Sequence, residues 1–167
     1  MVEQSTFRDA LSRLGAAVNA ITTNGQAGRY GIVASAVCSV TDTPPTILVC
    51  VNRTSAANEI MKANGVLCVN ILASAHQPLS ERLSNRTFTV DERFGDADEW
   101  MTLETGSPVL KDASVAIDCR VATISEVGTH SVFFCEAVAI RMSESRNALM
   151  YFDRAYHGLA SRASSAG

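Results

Sequence analysis

Gly31-Ile-Val-Ala-Ser-Ala-Val-Cys-Ser-Val-Thr-Asp-Thr-Pro-Pro45, running on as Thr46-Ile-Leu-Val-Cys-Val-Asn-Arg53, is the stretch whose reading decides the fold. β-branched and small residues carry it as far as Val40. A turn is expected across 41–45, where Pro44 and Pro45 fall, and a second apolar run follows over 46–51. Two extended runs about a proline-bearing turn read as paired strands. The small side chains of Ala34, Ser35, Ala36 and Ser39 stand out, because small groups bury little area in a core. Such a strand is explained either by a helix packed tightly against it or by a flat or phosphorylated ligand lying close to the backbone.

Immediately downstream, Asn52-Arg53-Thr54-Ser55 ends the second strand and opens a helical run over 56–63. Ser55 is a suitable N-cap and Asn64-Gly65 a suitable stop. Hydroxyls, backbone N–H groups and one arginine at a helix N-terminus favour an anion. An ordinary capped helix beside a solvated arginine carries the same pattern.

Upstream, Thr6-Phe-Arg-Asp9 has capping-box spacing, and Phe7, Ala10, Leu11 and Leu14 recur at helical intervals. A short amphipathic helix ending at Gly15 is expected. Residues 17–23 read as a strand and Asn24-Gly25 as a hairpin signal. Gly25, Gly28 and Gly31 recur every third residue, but an extended run follows them and the spacing is not that of a dinucleotide fingerprint. They are read as turn glycines.

Further on, 66–72 reads as a strand and 76–83 as a short helix with Pro78 in its first turn. His76 is read as a residue of the helix start, not a ligand. Residues 84–108 are mostly polar, punctuated by Phe88, Phe94 and Trp100. Thr89-Val-Asp-Glu92 and Asp96-Ala-Asp-Glu-Trp100 each seed a short helical turn, and the aromatic residues need burial. The acidic residues Asp91, Glu92, Asp96, Asp98 and Glu99, scattered among Arg86 and Arg93, read as a solvated face, not a metal site.

Residues 115–127 and 131–142 are long β-rich runs joined at Gly128-Thr129-His130, a hairpin with a histidine at its tip. Residues 149–152 make a last strand, followed by Arg154, Tyr156 and His157. The tail 160–167 is small and polar and is expected to fray. About six or seven strands against two or three short helices point to a closed or split antiparallel barrel.

Apolar residues make up 47% of the 167, enough for a core without metal or disulfides, and the formal charge of -3 disfavours nucleic acid as a partner. Cys38, Cys50, Cys68, Cys119 and Cys135 all sit in apolar, strand-like runs without C-x-x-C spacing. They read as small buried hydrophobes in a reducing cytoplasm. No signal-peptide pattern is visible, and no run approaches the ~18 apolar residues of a membrane span.

The block Ala34-Ser-Ala-Val-Cys-Ser-Val40, with Pro44-Pro45, Val51-Asn-Arg53, Val127-Gly-Thr-His130 and Tyr151-Phe-Asp-Arg-Ala-Tyr-His157, resembles the flavin reductase family with the FMN-binding split-barrel fold. It is most similar to the small reductase components of two-component flavin monooxygenases, such as the partner of 4-hydroxyphenylacetate 3-monooxygenase. The resemblance spans residues 7–157. It implies one mainly β domain over 1–167, an antiparallel split β-barrel of Greek-key type with a few short peripheral helices. It also implies a homodimer with the flavin near the subunit interface.

The implied activity is hydride transfer from NADH or NADPH to FMN or FAD, with reduced flavin supplied to a separate monooxygenase. On the matched positions, Ala34, Ser35, Ala36, Val37, Ser39, Val51, Asn52, Arg53, Ser55, Asn58 and Gly128 bind the flavin, with its phosphate beside 52–55. His130 touches the nicotinamide or the flavin ring, and Phe152 and Arg154 help to close the site. Two positions depart from the family. Thr129 stands where aspartate is frequent. Val33 stands where threonine is common, which removes a hydrogen bond of ~0.5–1.5 kcal/mol if that hydroxyl bonds the flavin. A reductase that keeps its flavin and serves another acceptor, such as a cob(II)alamin-type corrinoid, remains open at this point. So does a flavin- or haem-binding module without catalysis.

Overall fold

The structure, a computed structural model, describes residues 1–144 and 146–161. Among the described residues, twelve strands and four short α-helices follow one another. Helix α1 (Gln4–Ser12) precedes β1 (Ala16–Ala17), β2 (Asn19–Thr23), β3 (Tyr30–Ala34), β4 (Val37–Asp42) and β5 (Pro45–Asn52). Next come α2 (Ala56–Asn64), β6 (Val66–Ile71), α3 (Gln77–Ser84) and α4 (Val90–Phe94). Strands β7 (Trp100–Thr102), β8 (Pro108–Leu110), β9 (Val115–Val127), β10 (His130–Met142), β11 (Asn147–Phe152) and β12 (Ala155–Ala160) complete it.

Seven strands form one antiparallel sheet in the order β3-β2-β6-β9-β10-β5-β4. Its two edges, β3 and β4, are consecutive in the chain and separated only by Ser35 and Ala36. Three Cα steps reach no more than about 11 Å. The sheet must therefore curl until its edges meet at this link. Among the described residues no ladder joins β3 to β4, so the curl keeps a seam. The mainly β, antiparallel expectation holds, and the quoted stretch proves to be three strands with a break, not two.

Apolar residues from around the curl fill its interior, among them Ile21, Val49, Val51, Leu67, Val69 and Phe133. Met61 and Ala57 of α2 plug the same core. A second core lies outside the sheet, where Leu79 and Leu83 of α3 meet Phe94, Trp100, Leu72 and Leu149. The long polar segment is anchored there. Thr89 and Glu92 exchange both bonds of a capping box at α4. The Trp100 indole N–H donates to the Phe94 carbonyl at 2.9 Å, and the Arg29 guanidinium lies 4.4 Å over the Phe94 ring.

Several local expectations change. Helix α1 starts earlier than the Thr6 box and has Glu3 at its cap with no side-chain cap bond. None of its residues is buried, so its apolar face lies open. Gly31 is no turn glycine. It sits buried in β3, where a Cβ would come within 3.1 Å of Phe94 and 3.2 Å of Leu83. It lets α3 and α4 pack onto the strand. Residues 153–154 form a tight turn between β11 and β12, with Asp153 at φ 47 and Arg154 at φ 62. Such a turn ordinarily advertises itself with Asn-Gly, and Asp-Arg does not. Of the tail, 162–167 lie outside the described residues.

Phe94 is 1% exposed and ties α4, Trp100 and Arg29 together. Phe94→Ala is expected to cost about 3–5 kcal/mol. Urea unfolding checks this, and an unchanged midpoint would contradict the packing role.

Candidate active site

A cleft of about 610 Å³ opens along the seam. One wall is β3 with its small-residue exit, Val33, Ala34, Ser35 and Ala36. Another is the end of β5 and the start of α2, Cys50 to Asn52 and Thr54 to Ala56. The end of α3 with Arg86 and Arg93 forms a third, and His130 stands at the hairpin side.

The chain turns out of β5 into α2 for local reasons. The Asn52 side-chain carbonyl accepts the Thr54 N–H and hydroxyl, each at 2.9 Å. Ser55 caps the helix by accepting the Ala57 N–H. Gly65, in the left-handed conformation at φ 67, ends it. Beneath the turn, the fully buried Asn58 donates to the Val51 carbonyl at 3.1 Å and to the Ser131 hydroxyl at 2.9 Å. Ser131 donates on to Glu126 at 2.8 Å. Glu126 also pairs with Lys62 at 2.9 Å and Arg53 at 3.2 Å. This network locks the β9–β10 hairpin against α2. The Arg53 N–H adds a bond to the Thr129 carbonyl at 2.9 Å.

At the hairpin, His130 opens β10 directly opposite Asn52 in the β5 ladder. Its Nδ1 lies 2.9 Å from the Thr129 hydroxyl, which leaves Nε2 without a protein partner among the described residues. On the far wall, Arg93 donates to the Tyr30 hydroxyl at 2.9 Å and to the Asn85 carbonyl at 3.1 Å. Burial pushes the Cys50 thiol up, so it is a neutral wall group. Of the five cysteines read as buried, Cys68, Cys119 and Cys135 are; Cys50 is partly exposed and Cys38 is exposed. His76 accepts the Ala73 N–H on Nδ1 at 3.0 Å, as expected of a helix-start residue.

The residues singled out from the sequence separate into groups. Ala34, Ser35, Ala36, Val51, Asn52, Ser55 and His130 meet in the cleft. Arg53 and Gly128 lie beside it, in a depression of about 440 Å³ shared with Lys62 and Thr129. Val37 packs into the interior of the curled sheet, and Ser39 is exposed on β4 outside the cleft lining. Asn58 supports the cleft from below without lining it. Phe152 and Arg154 are not brought to the cleft. Phe152 ends β11 of the β1-β11-β12 sheet, and Arg154 lies in the turn that follows, paired to Asp9 of α1 at 2.9 Å. Arg86, Arg93 and Tyr30 enter the site without having been assigned to it from the sequence, since a polar stretch carries no periodicity that shows which face it presents.

The flavin reductase like domain model matches residues 11–160. The chain belongs to this family. It is 52% identical over 158 residues to "FMN reductase (NADH) RutF" of Serratia proteamaculans, covering 95% of this chain and 89% of that one. RutF 2 of Rhizobium rhizogenes, also an FMN reductase (NADH), is 54% identical over 153 residues, 92% of this chain and 87% of that one. Among solved structures, one assigned as a flavin reductase from Haemophilus somnus 129pt superposes at a TM-score of 0.89 with 45% identity. It covers 95% of this chain and 100% of its own. The expectation of an oxidoreductase using a flavin and a nicotinamide stands with this membership.

Lys62 chiefly, then Ser131 and Arg53, hold the Glu126 carboxyl below its usual value of 4.5. An unfolded chain takes up that proton first as pH falls. The tie between hairpin and α2 is therefore complete above about 4.5 and is lost as pH falls through the lower folded value. Amide hydrogen exchange at Arg53 should show its protection falling in that acid range, and Glu126→Gln should remove the pH dependence. Protection indifferent to pH in the unaltered protein would count against the tie.

Proposed function

We propose that this protein is an NADH-dependent FMN reductase that supplies reduced flavin to a separate oxygenase. The observation that carries the reading is the small-residue break at Ser35–Ala36, set in the wall of a cleft that also holds His130 and a helix start. Its volume lies in the range of about 300–1,000 Å³ usual for small-molecule sites. The lining fits a flavin. It offers side chains no larger than a hydroxymethyl for a flat ring, hydroxyls and an amide for a polyol, and guanidinium groups for an anion.

A flavin bound there would supply the redox chemistry, accepting hydride from the nicotinamide. The chain's part is to bind and orient. Ala34, Ser35 and Ala36 allow close approach of a ring to the backbone. Asn52, Thr54 and Ser55, with the start of α2, present polar groups along one side. His130, fixed through Nδ1 by Thr129, directs Nε2 from the hairpin to orient the nicotinamide. No side chain need act as nucleophile or base.

FMN and NADH are favoured over FAD and NADPH because the relatives about half identical in sequence carry both in their names. A two-component partnership is supported by BorF, the flavin reductase component of a bacterial two-component tryptophan halogenase, at 26% identity and a TM-score of 0.89. A homodimer is supported by Phe7 and Leu11 of α1 and by Leu14 just after it, 55%, 48% and 67% exposed, together with the exposed Phe152. In that assembly Phe152 and Arg154 would reach the other subunit's cleft. The free cysteines suit a reducing cytoplasm.

Absorbance at the nicotinamide band is expected to fall rapidly when the purified protein meets NADH and FMN together, and slowly without flavin. His130→Ala should raise the KM for NADH about 2- to 10-fold, the value of one positioned hydrogen bond. Flavin-independent rates with both NADH and NADPH would sink the proposal.

A further inference from the structure

The proposed flavin site needs a cation for the flavin's phosphate, and the sequence points to Arg53. The geometry points elsewhere. Arg53 is paired with Glu126 at 3.2 Å, and its Nη1 turns towards the Gly128 carbonyl. It lines the neighbouring depression, not the main cleft. Lys62 is likewise compensated by Glu59 and Glu126.

Two cations do line the cleft, and neither has a carboxylate partner among the described residues. Arg93 has only the neutral Tyr30 hydroxyl and Asn85 carbonyl as hydrogen-bond acceptors. Arg86 makes no hydrogen bond, ion pair or ring contact at all among the described residues. Its backbone is nonetheless held. The preceding Asn85 takes the Thr87 N–H and hydroxyl on its side chain, at 3.0 and 2.7 Å, while its carbonyl binds Arg93. A fork of free donors is thus carried on a braced turn at the rim of the cleft. Across the cleft, α2 presents its N-terminus, and both α2 and α3 pack on β3.

We infer that Arg86, not Arg53, pairs with the flavin phosphate, and that it makes the enzyme select phosphorylated flavins over riboflavin. The inference rests on the flavin-binding reading of the cleft. Arg93 adds to the local positive charge and braces the turn. A guanidinium fork suits a phosphate bidentately, which a lone hydroxyl of riboflavin cannot match.

The test is a titration of the purified protein with FMN and, separately, with riboflavin, following quenching of flavin fluorescence. Arg86→Ala and Arg86→Gln are compared with Arg120→Ala, which removes an equal charge from the exposed face of β9. Circular dichroism confirms that each is folded. Both Arg86 variants should weaken FMN by about 10- to 100-fold, the worth of a charge-assisted contact, and leave riboflavin within about twofold. Arg120→Ala should leave both unchanged. If the FMN-to-riboflavin ratio persists in the Arg86 variants, the inference is overturned while the flavin site stands. If the unaltered protein binds neither flavin, the flavin reading itself falls and the inference with it.

Discussion

A two-residue connection between opposite edges of a seven-stranded sheet is the constraint on which the rest of this molecule depends. Ser35 and Ala36 leave β3 and β4 no freedom to lie apart, so a sheet that would otherwise extend must close upon itself. Closure gives Ile21, Val49 and Phe133 a common interior and burial from every side. Among the described residues no ladder pairs β3 with β4, so closure is not completed by hydrogen bonds at this link. The seam that results is bordered by small residues, and the cleft lies along it.

Two helices, α2 and α3, pack on β3 and border this cleft. α2 is secured from beneath by Asn58, which satisfies a strand carbonyl and a hairpin hydroxyl in an interior where an unpaired group costs about 1–3 kcal/mol. α3 is seated on the other side by Leu79 and Leu83 in the second core, with Gly31 giving it room against β3. The walls of the site are therefore set by packing and not by the loops that line them. On the proposed function, a cleft built on packed elements would orient flavin and nicotinamide for hydride transfer.

Charge is distributed to the same end. Acidic partners neutralise Arg53, Lys62, Arg29 and Arg82 where they tie elements together. Among the described residues the guanidinium groups of Arg86 and Arg93 lack such partners, and both residues line the cleft. In a chain with a net charge of -3, this local inversion concentrates positive potential at one place.

The sequence by itself determined the strand-rich character, the Ser55-capped helix ending at Gly65, the long hairpin with His130 beside its turn and the short helical turn that starts at Thr89. Each is a short-range matter of side-chain periodicity, caps and turn chemistry, complete within a few residues. It also singled out Ala34 to Ala36 and Asn52 to Ser55 as candidates for a ligand site, a pattern that a tightly packed helix and an ordinary helix cap share. Only the tertiary structure decided that β3 and β4 are opposite edges of one sheet, that Gly31 serves packing, and that Arg53 is neutralised while Arg86 has no carboxylate partner among the described residues. It also placed Phe152 on a different sheet from the cleft, with Arg154 in the turn beyond it. These outcomes depend on which distant carboxylate, ring or strand comes to lie beside each residue, and a linear pattern holds no record of such neighbours until the chain has closed.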